Sequence, residues 1–352
     1  MALACGLDRL VGDPRWCPHP VVAMGWTITR LRATAECWAG DRPWALRLAG
    51  GAITLLLVLG SGLAGWGVER LAPGCRPWAG SGPIGWLGAG LLVVALASAL
   101  AGRSLEQAVS TVLGALEPQP PRPGAGQAAS GADLAEARRR LGGIVGRDTA
   151  QLDHQGILRA LAETASENGV DGLFAPLFWM LVGAGIWSAG GWDLPGPLAL
   201  AWGFKATSTL DSMLGYRHGR LTWLGSAGAR LDDLLVWLPC RLTTLSLPLA
   251  AGRPWKGLEL LRAARCDGRA DPSPNAGVSQ AAYAHLVGVQ LGGTNHYGGE
   301  RRSKPLLAKG RPAPDREAVE RMLALNRRLP WLWLLAFGLL LGGGAFITKA
   351  LS

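Results

Sequence analysis

Four uncharged, largely apolar stretches punctuate the chain, at 48–68, 77–102, 172–192 and 329–348, each closed at both ends by a charged residue. About 20 apolar residues in a helix cross a bilayer, so each stretch predicts a membrane span. Few soluble proteins bury four such helices. Two lesser candidates lie between the third and fourth. Residues 198–210 are apolar but short and carry Lys205, which predicts a broken or water-lined crossing. Residues 234–251 contain Arg241 and two prolines. Were they to span, the Lys- and Arg-rich segment 252–329 would face outward, against the positive-inside trend, so a re-entrant or interfacial helix fits better. The expected fold class is all-α: a polytopic helical membrane protein of about five transmembrane helices, with the N-terminus inside and the C-terminus outside.

The pattern gives one membrane domain over 1–352. Residues 1–47 form a cytoplasmic, amphipathic prelude, and 102–171 and 252–329 form large cytoplasmic loops. Residues 117–133 are low in complexity and rich in Pro, Gly and Ala, as expected of a flexible segment. After them a short helix precedes a longer one over 147–168, which Asn168 and Gly169 are expected to end. Pro195 and Pro197 mark a tight turn outside the membrane.

Composition supports the membrane class. Only 17% of the 352 residues are charged, where a soluble domain is nearer a quarter, and mean hydropathy is +0.20. Several of the 16 tryptophans sit near run ends, among them Trp44, Trp66, Trp78, Trp86, Trp192, Trp331 and Trp333, where indole rings favour the headgroup zone. Asp8, Arg9, Asp13 and Arg15 interrupt any leader-like stretch. The six cysteines show no metal or disulfide spacing. Net charge is +10, yet no basic run interleaved with aromatics suggests nucleic acid, and cytoplasmic loops account for the excess.

Charge set this close to lipid is expensive and marks candidate sites. Glu163 and Glu167, four apart on the predicted helix, share a face. A divalent cation would relieve their repulsion, and oxygen ligands without soft donors suit magnesium; a solvated acidic face is the alternative. Asp148 or Thr149 reads as a helix cap, leaving Arg147 for an anion. Lys205, on a buried segment, needs an anionic ligand or a structural partner in Asp211. Asp232 and Asp233 stand beside Arg230, with Arg241 further along the same run. One of these aspartates could bind metal while the arginines take phosphate or carboxylate; a snorkelling cluster at the interface is the alternative. Ser273-Pro274-Asn275-Ala276-Gly277 is a rigid turn and Leu291-Gly292-Gly293 a Gly-rich loop. Backbone amides there could cradle phosphate. No Walker loop, nucleophile elbow or kinase set is present.

Taken together and in order, these segments resemble the adenosylcobinamide-phosphate synthase family of cobalamin biosynthesis, a multi-pass inner-membrane family. The resemblance runs from Gly12-Asp13-Pro14 and His19-Pro20-Val21 through RDT (147–149), ETASEN (163–168), TLDSMLGY (209–216), GARLDDL (228–234), PCRLT (239–243) and SPNAG (273–277) to Leu291-Gly292-Gly293. Single pieces are weak and the ordered set is specific. Ser208 and Val236 stand where the family usually has Asn, and Cys240 where it has a small residue.

The resemblance implies an ATP- and Mg²⁺-dependent amide ligation. An amino-alcohol phosphate, or the free amino alcohol, is joined to the free carboxylate of adenosylcobyric acid at the cytoplasmic side of a bacterial inner membrane. On that reading Glu163, Glu167, Lys205 and Asp211 carry chemistry. Asp232 or Asp233 joins Glu163, Glu167 and Asp211 at the metal. Arg147, Arg230, Arg241, Ser273, Asn275 and Gly277 hold substrate or phosphate. Membrane lipid and a second copy of the chain are further expected partners. A corrinoid transporter with broken helices, a non-catalytic membrane sensor and a lipid head-group phosphotransferase are the competing classes. The phosphotransferase signature is not matched around Asp171-Gly172.

Overall fold

The computed structural model describes residues 1–14, 18–72, 83–117 and 133–351. Its helices, in order, are α1 (Ala2–Leu10), α2 (Pro20–Ala39), α3 (Pro43–Leu71), α4 (Pro83–Ala97), α5 (Gly102–Ala115), α6 (Leu134–Leu141), α7 (His154–Gly169), α8 (Ala175–Ser188), α9 (Pro197–Leu214), α10 (Leu221–Leu224), α11 (Ser226–Ala250), α12 (Gly257–Gly268), α13 (Ala276–Val287) and α14 (Arg316–Leu351). A two-stranded antiparallel sheet, β1 (Leu291–Tyr297) and β2 (Glu300–Leu307), precedes α14. That hairpin corrects the all-α expectation: the described residues are mostly helical with one small sheet. The low-complexity segment falls almost wholly at 118–132, and the start of the apolar stretch 77–102 at 77–82, both outside the described residues.

Among the described residues two helical stretches are long and apolar enough to cross a membrane, 43–71 and 154–188. They become three if the pair 85–97 and 102–115, bent by 43°, is one span. On α3, Leu48, Leu55, Leu56, Leu59 and Leu63 are each more than half exposed. An apolar face of that extent suits lipid rather than water.

The chain forms two compact units. The first comprises 1–101, 171–239 and 330–352; the second comprises 102–170 and 240–329, close to the two segments expected as loops. In the first unit α2, α3, α9 and α10 enclose a core that includes Met24, Ile28, Leu46, Ile53, Leu57, Leu210 and Leu224. α3 and α9 approach so closely that a Cβ on Gly65 would lie 2.9 Å from Ala199 Cα. Small residues permit such backbone contact in membrane bundles. Glu69, buried at the end of α3, accepts the amide protons of Gly196 (2.9 Å), Leu198 (2.6 Å) and Ala199 (3.2 Å). It thereby supplies the acceptors that the first turn of α9 lacks, with negative charge at the positive end of the helix. α9 is unbroken from Pro197 to Leu214, so of the broken or water-lined crossing expected there the break is not found.

The second unit packs α5, α6, α7, α12, α13 and the first part of α14 around Val109, Leu141, Ile157, Leu161, Tyr283 and Val319, all fully buried. A Cβ on Gly268 would stand 2.5 Å from Gly277, so α12 and α13 meet through their glycines. Tyr283 donates its hydroxyl to Asn326, whose amide donates to the Ala165 carbonyl at 2.9 Å. Asn326 packs on Gly169, where a Cβ would lie 2.7 Å from its Nδ2. Gly169 therefore serves packing, and as expected it is the last residue of α7. The chain continues through a π turn, Val170–Phe174, into α8. Such turns recur at functional sites.

Candidate functional site

The second unit gathers ETASEN, RDT and the hairpin into one network. Glu163 on α7 is 3% exposed. One of its oxygens pairs with Arg147 and the other accepts the Gly292 amide at 3.0 Å. Arg147 also donates to Asn295 at 2.6 Å. Arg159, one turn before Glu163, donates to the carbonyls of Gly292 (3.0 Å) and Thr294 (2.9 Å) and to Asn295 (3.1 Å). Glu167 accepts from Gln280 at 2.6 Å. Both carboxylates are thus engaged by protein donors, and the structure does not turn them jointly toward a cation. Arg147 likewise serves a protein carboxylate in place of the anion expected for it.

Lys304 on β2 lies 3.6 Å from Asp271. Burial opposes its charge, but the carboxylates of Glu167 and Asp271 outweigh that cost and leave the ammonium above its ordinary pKa. Asp148 caps no helix. Asp153 caps α7, accepting the Gly156 amide at 2.7 Å. Asp148 instead accepts the amides of Gly298 (3.1 Å) and Gly299 (2.8 Å) at the hairpin turn, where both glycines have positive φ. Those amides, Gly299 before Gly298, hold its carboxyl below the usual range.

The SPNAG turn is held from within the same unit. Ser273 Oγ accepts the amides of Asn275 (3.3 Å) and Ala276 (3.2 Å). Arg241 donates to the Asn275 side chain and, at 2.8 Å, to the Pro274 carbonyl. Cys240 donates its thiol to the Asn275 carbonyl at 3.4 Å. Gly277 provides the close approach to Gly268. These contacts make Ser273, Asn275, Gly277 and Arg241 a mutually braced loop, in which the buried Arg241 Nε has no hydrogen-bond partner. Leu291-Gly292-Gly293 is the start of β1, with an irregularity in register at Gly292, where the sequence suggested a loop.

The first unit holds a different group. Lys205 on α9 lies within the electrostatic reach of Asp13, Asp171, Asp8 and Asp232. Asp232 in turn interacts with Asp211 and Asp233. His19 explains how the N-terminal motif joins them. It caps α2 by accepting the Val21 amide (3.3 Å), and its Nε2 stands 3.1 Å from Asp13. The π turn brings in Asp171. Sequence reasoning named Lys205, Asp211, Asp232 and Asp233 but missed Asp8, Asp13 and Asp171. The Gly12-Asp13-Pro14 motif was the available signal for Asp13.

Among the described residues, no three His, Cys, Asp or Glu side chains are arranged to hold a metal ion. The five-carboxylate set Glu163, Glu167, Asp211, Asp232 and Asp233 is therefore no all-protein cage. Magnesium needs less: one or two carboxylates, with waters and substrate phosphates completing its shell. Asp232 fits that requirement, since its buried Oδ1 has no hydrogen-bond partner, and a buried polar oxygen left so is costly. Val236, one turn beyond Asp232 and a position where Asn was expected, is buried at 1% exposure.

A sequence profile of the family described as CobD/Cbib protein matches residues 1–326. The chain belongs to the CobD/CbiB family. A cobalamin biosynthesis protein CobD of Synechocystis is 38% identical over 333 residues, covering 95% of this chain and 88% of its own length. A cobalamin biosynthesis protein CbiB of Salmonella typhi is 37% identical, covering 94% and 92%. A CobD of Klebsiella pneumoniae is 40% identical, covering 86% and 84%. No solved structure matches. The CobD/CbiB match covers the residues of both groups described above, those around Lys205 and those around Glu163.

Proposed function

We propose that this chain acts in cobalamin biosynthesis as an adenosylcobinamide-phosphate synthase. It would join an amino-alcohol phosphate to the free carboxylate of adenosylcobyric acid at the cytoplasmic side of a bacterial inner membrane. One observation carries the reading: Lys205 on α9 lies within reach of the charges of Asp13, Asp171, Asp8 and Asp232, and Asp232 within reach of Asp211 and Asp233. A group so rich in carboxylates demands further positive charge, and membrane ionisable clusters mark function.

A carboxylate and an amine do not condense unaided in water. In the proposed reaction a substrate carboxylate oxygen attacks the γ-phosphorus of ATP, ADP leaves, and an acyl phosphate forms. The amine then attacks the acyl carbon and expels phosphate. The balance is one amide, ADP, phosphate and one released proton. Lys205 neutralises charge on the transferring phosphoryl group, and a carboxylate of the cluster accepts the amine proton. Asp211 and Asp232 would hold magnesium, which when bound supplies Lewis-acid stabilisation of phosphate charge.

The test is turnover by the purified protein in lipid, supplied with adenosylcobyric acid, the amino-alcohol phosphate, ATP and magnesium. Amide product with matching ADP supports the reading. Substrate binding without turnover moves the chain to transport or sensing.

A further inference from the structure

A second cavity feature in the first unit has no role in the chemistry above. A hollow of about 600 Å³ is walled by Arg47 of α3, Tyr216 and Arg217 of the turn after α9, and Trp223, Arg230 and Asp233. Three guanidinium groups from three separate segments surround one space. Among the described residues, none of the three is in an ion pair or hydrogen bond, whereas nearby Arg220 pairs with Asp41 at 2.7 Å. Arg47 is instead stacked on Trp223, 4.3 Å from the ring centroid, which fixes the fork without consuming its donors. Ser226 and Ala227, the first residues of α11, also line the hollow. The start of that long helix adds partial positive charge to the guanidinium groups.

Like charges held around one cavity repel unless an anion sits between them. Arginine forks match the paired oxygens of phosphate, and three of them suit more than one phosphoryl group. Asp233 is the only acid among the described lining residues. It is also the neighbour of Asp232, so a cation accompanying the phosphates has a carboxylate on the same wall.

We propose that this hollow is a binding site for a phosphate-bearing anion, gripped by Arg47, Arg217 and Arg230. Naming a nucleoside triphosphate as its occupant rests on the reaction proposed above; the anion site itself does not. Arg230 was already a candidate from the sequence, and Arg47, Arg217 and the stacked Trp223 are new to it.

Binding is measured on the full chain in neutral-lipid nanodiscs, with ATP, inorganic triphosphate and an amino-alcohol phosphate as probes. In a parallel arm anionic phosphatidylglycerol is added to the disc. Saturable, salt-sensitive binding of a phosphate probe is expected in the parent protein. Arg217→Ala and Arg230→Ala should each raise Kd about tenfold, as expected for one charge-assisted contact, while Arg253→Ala, in the other unit, leaves it unchanged. Arg217 is exposed, so its loss spares the fold, and thermal unfolding of each variant checks this. Displacement of the probe by phosphatidylglycerol, abolished in the same variants, supports the site and makes the lipid headgroup its source. Absence of any phosphate binding, or unchanged Kd in both variants, overturns the proposal. Turnover with ATP in the face of such a result would leave the synthase reading standing without this site. Loss of binding in the variants of a protein with no turnover would do the reverse.

Discussion

Glu69 accepts the backbone amide proton of Leu198 across 2.6 Å, joining the end of one helix to the beginning of another. From the sequence alone Glu69 marks only the end of an apolar run. Three amides of the α9 start depend on it, and α9 carries Lys205 and Asp211. Glu69→Ala should therefore destabilise the protein by about 2 kcal/mol, the upper range for loss of a helix cap. Thermal unfolding in detergent would show it, and Glu69→Gln, which keeps an acceptor, should recover part of the loss.

Arg147 and Glu163 form a buried pair, with side chains 7% and 4% exposed. Removing one partner leaves an uncompensated buried charge, a cost of about 3–5 kcal/mol. Arg147→Ala should fall in that range, and Arg147→Met combined with Glu163→Gln should be milder than either change alone. A double-mutant cycle by chemical denaturation measures the difference. Additive losses would refute coupling between the two side chains.

The hairpin turn should be acid-sensitive through Asp148. Its carboxyl is held below the usual range in the folded protein by the Gly299 and Gly298 amides. Its stabilisation is accordingly complete above the ordinary aspartate value and is lost as pH falls through the lower folded value. Protection of the Gly298 and Gly299 amides from hydrogen exchange, relative to the intrinsic rate at each pH, should fall below about pH 4, near the ordinary aspartate range. Asp148→Asn should exchange faster at neutral pH and lose that dependence.

Lys205→Ala and Asp232→Asn should each lower turnover by about 100-fold or more, the scale for removing one preorganised charge at a reacting phosphoryl group. Circular dichroism should show the helices intact. Near-parental turnover in Lys205→Ala would make Lys205 a structural partner of its aspartates.

Much of this architecture was readable in the apolar runs, because a span is long, continuous and nearly free of charge. The stretch at 48–68 lies within α3, and 172–192 takes in α8. That 102–170 and 240–329 fold into one unit was not visible in the runs. The hairpin was hidden because Gly292, Gly293, Gly298 and Gly299 dilute strand propensity; Arg159 supplies carbonyl contacts from far along the chain. The protein partners of Arg147 and Arg241 were out of view for a related reason. Sequence shows that a guanidinium needs an acceptor, not that Glu163 or the Asn275 turn stands ready to provide one. Asp8, Asp13 and Asp171 were in view, yet only folding brings them to Lys205.

Each unit is woven from stretches that are far apart in the order of synthesis. The second cannot be completed until translation has passed residue 240 and supplied α12, α13 and the hairpin; the first still awaits 330–352. Early helices must therefore wait, with their eventual contact faces uncovered, while later ones emerge, a circumstance that slows assembly and invites aggregation. A chain halted near its middle would yield neither unit whole, so biogenesis of this protein should depend heavily on whatever shelters unfinished helices at the membrane.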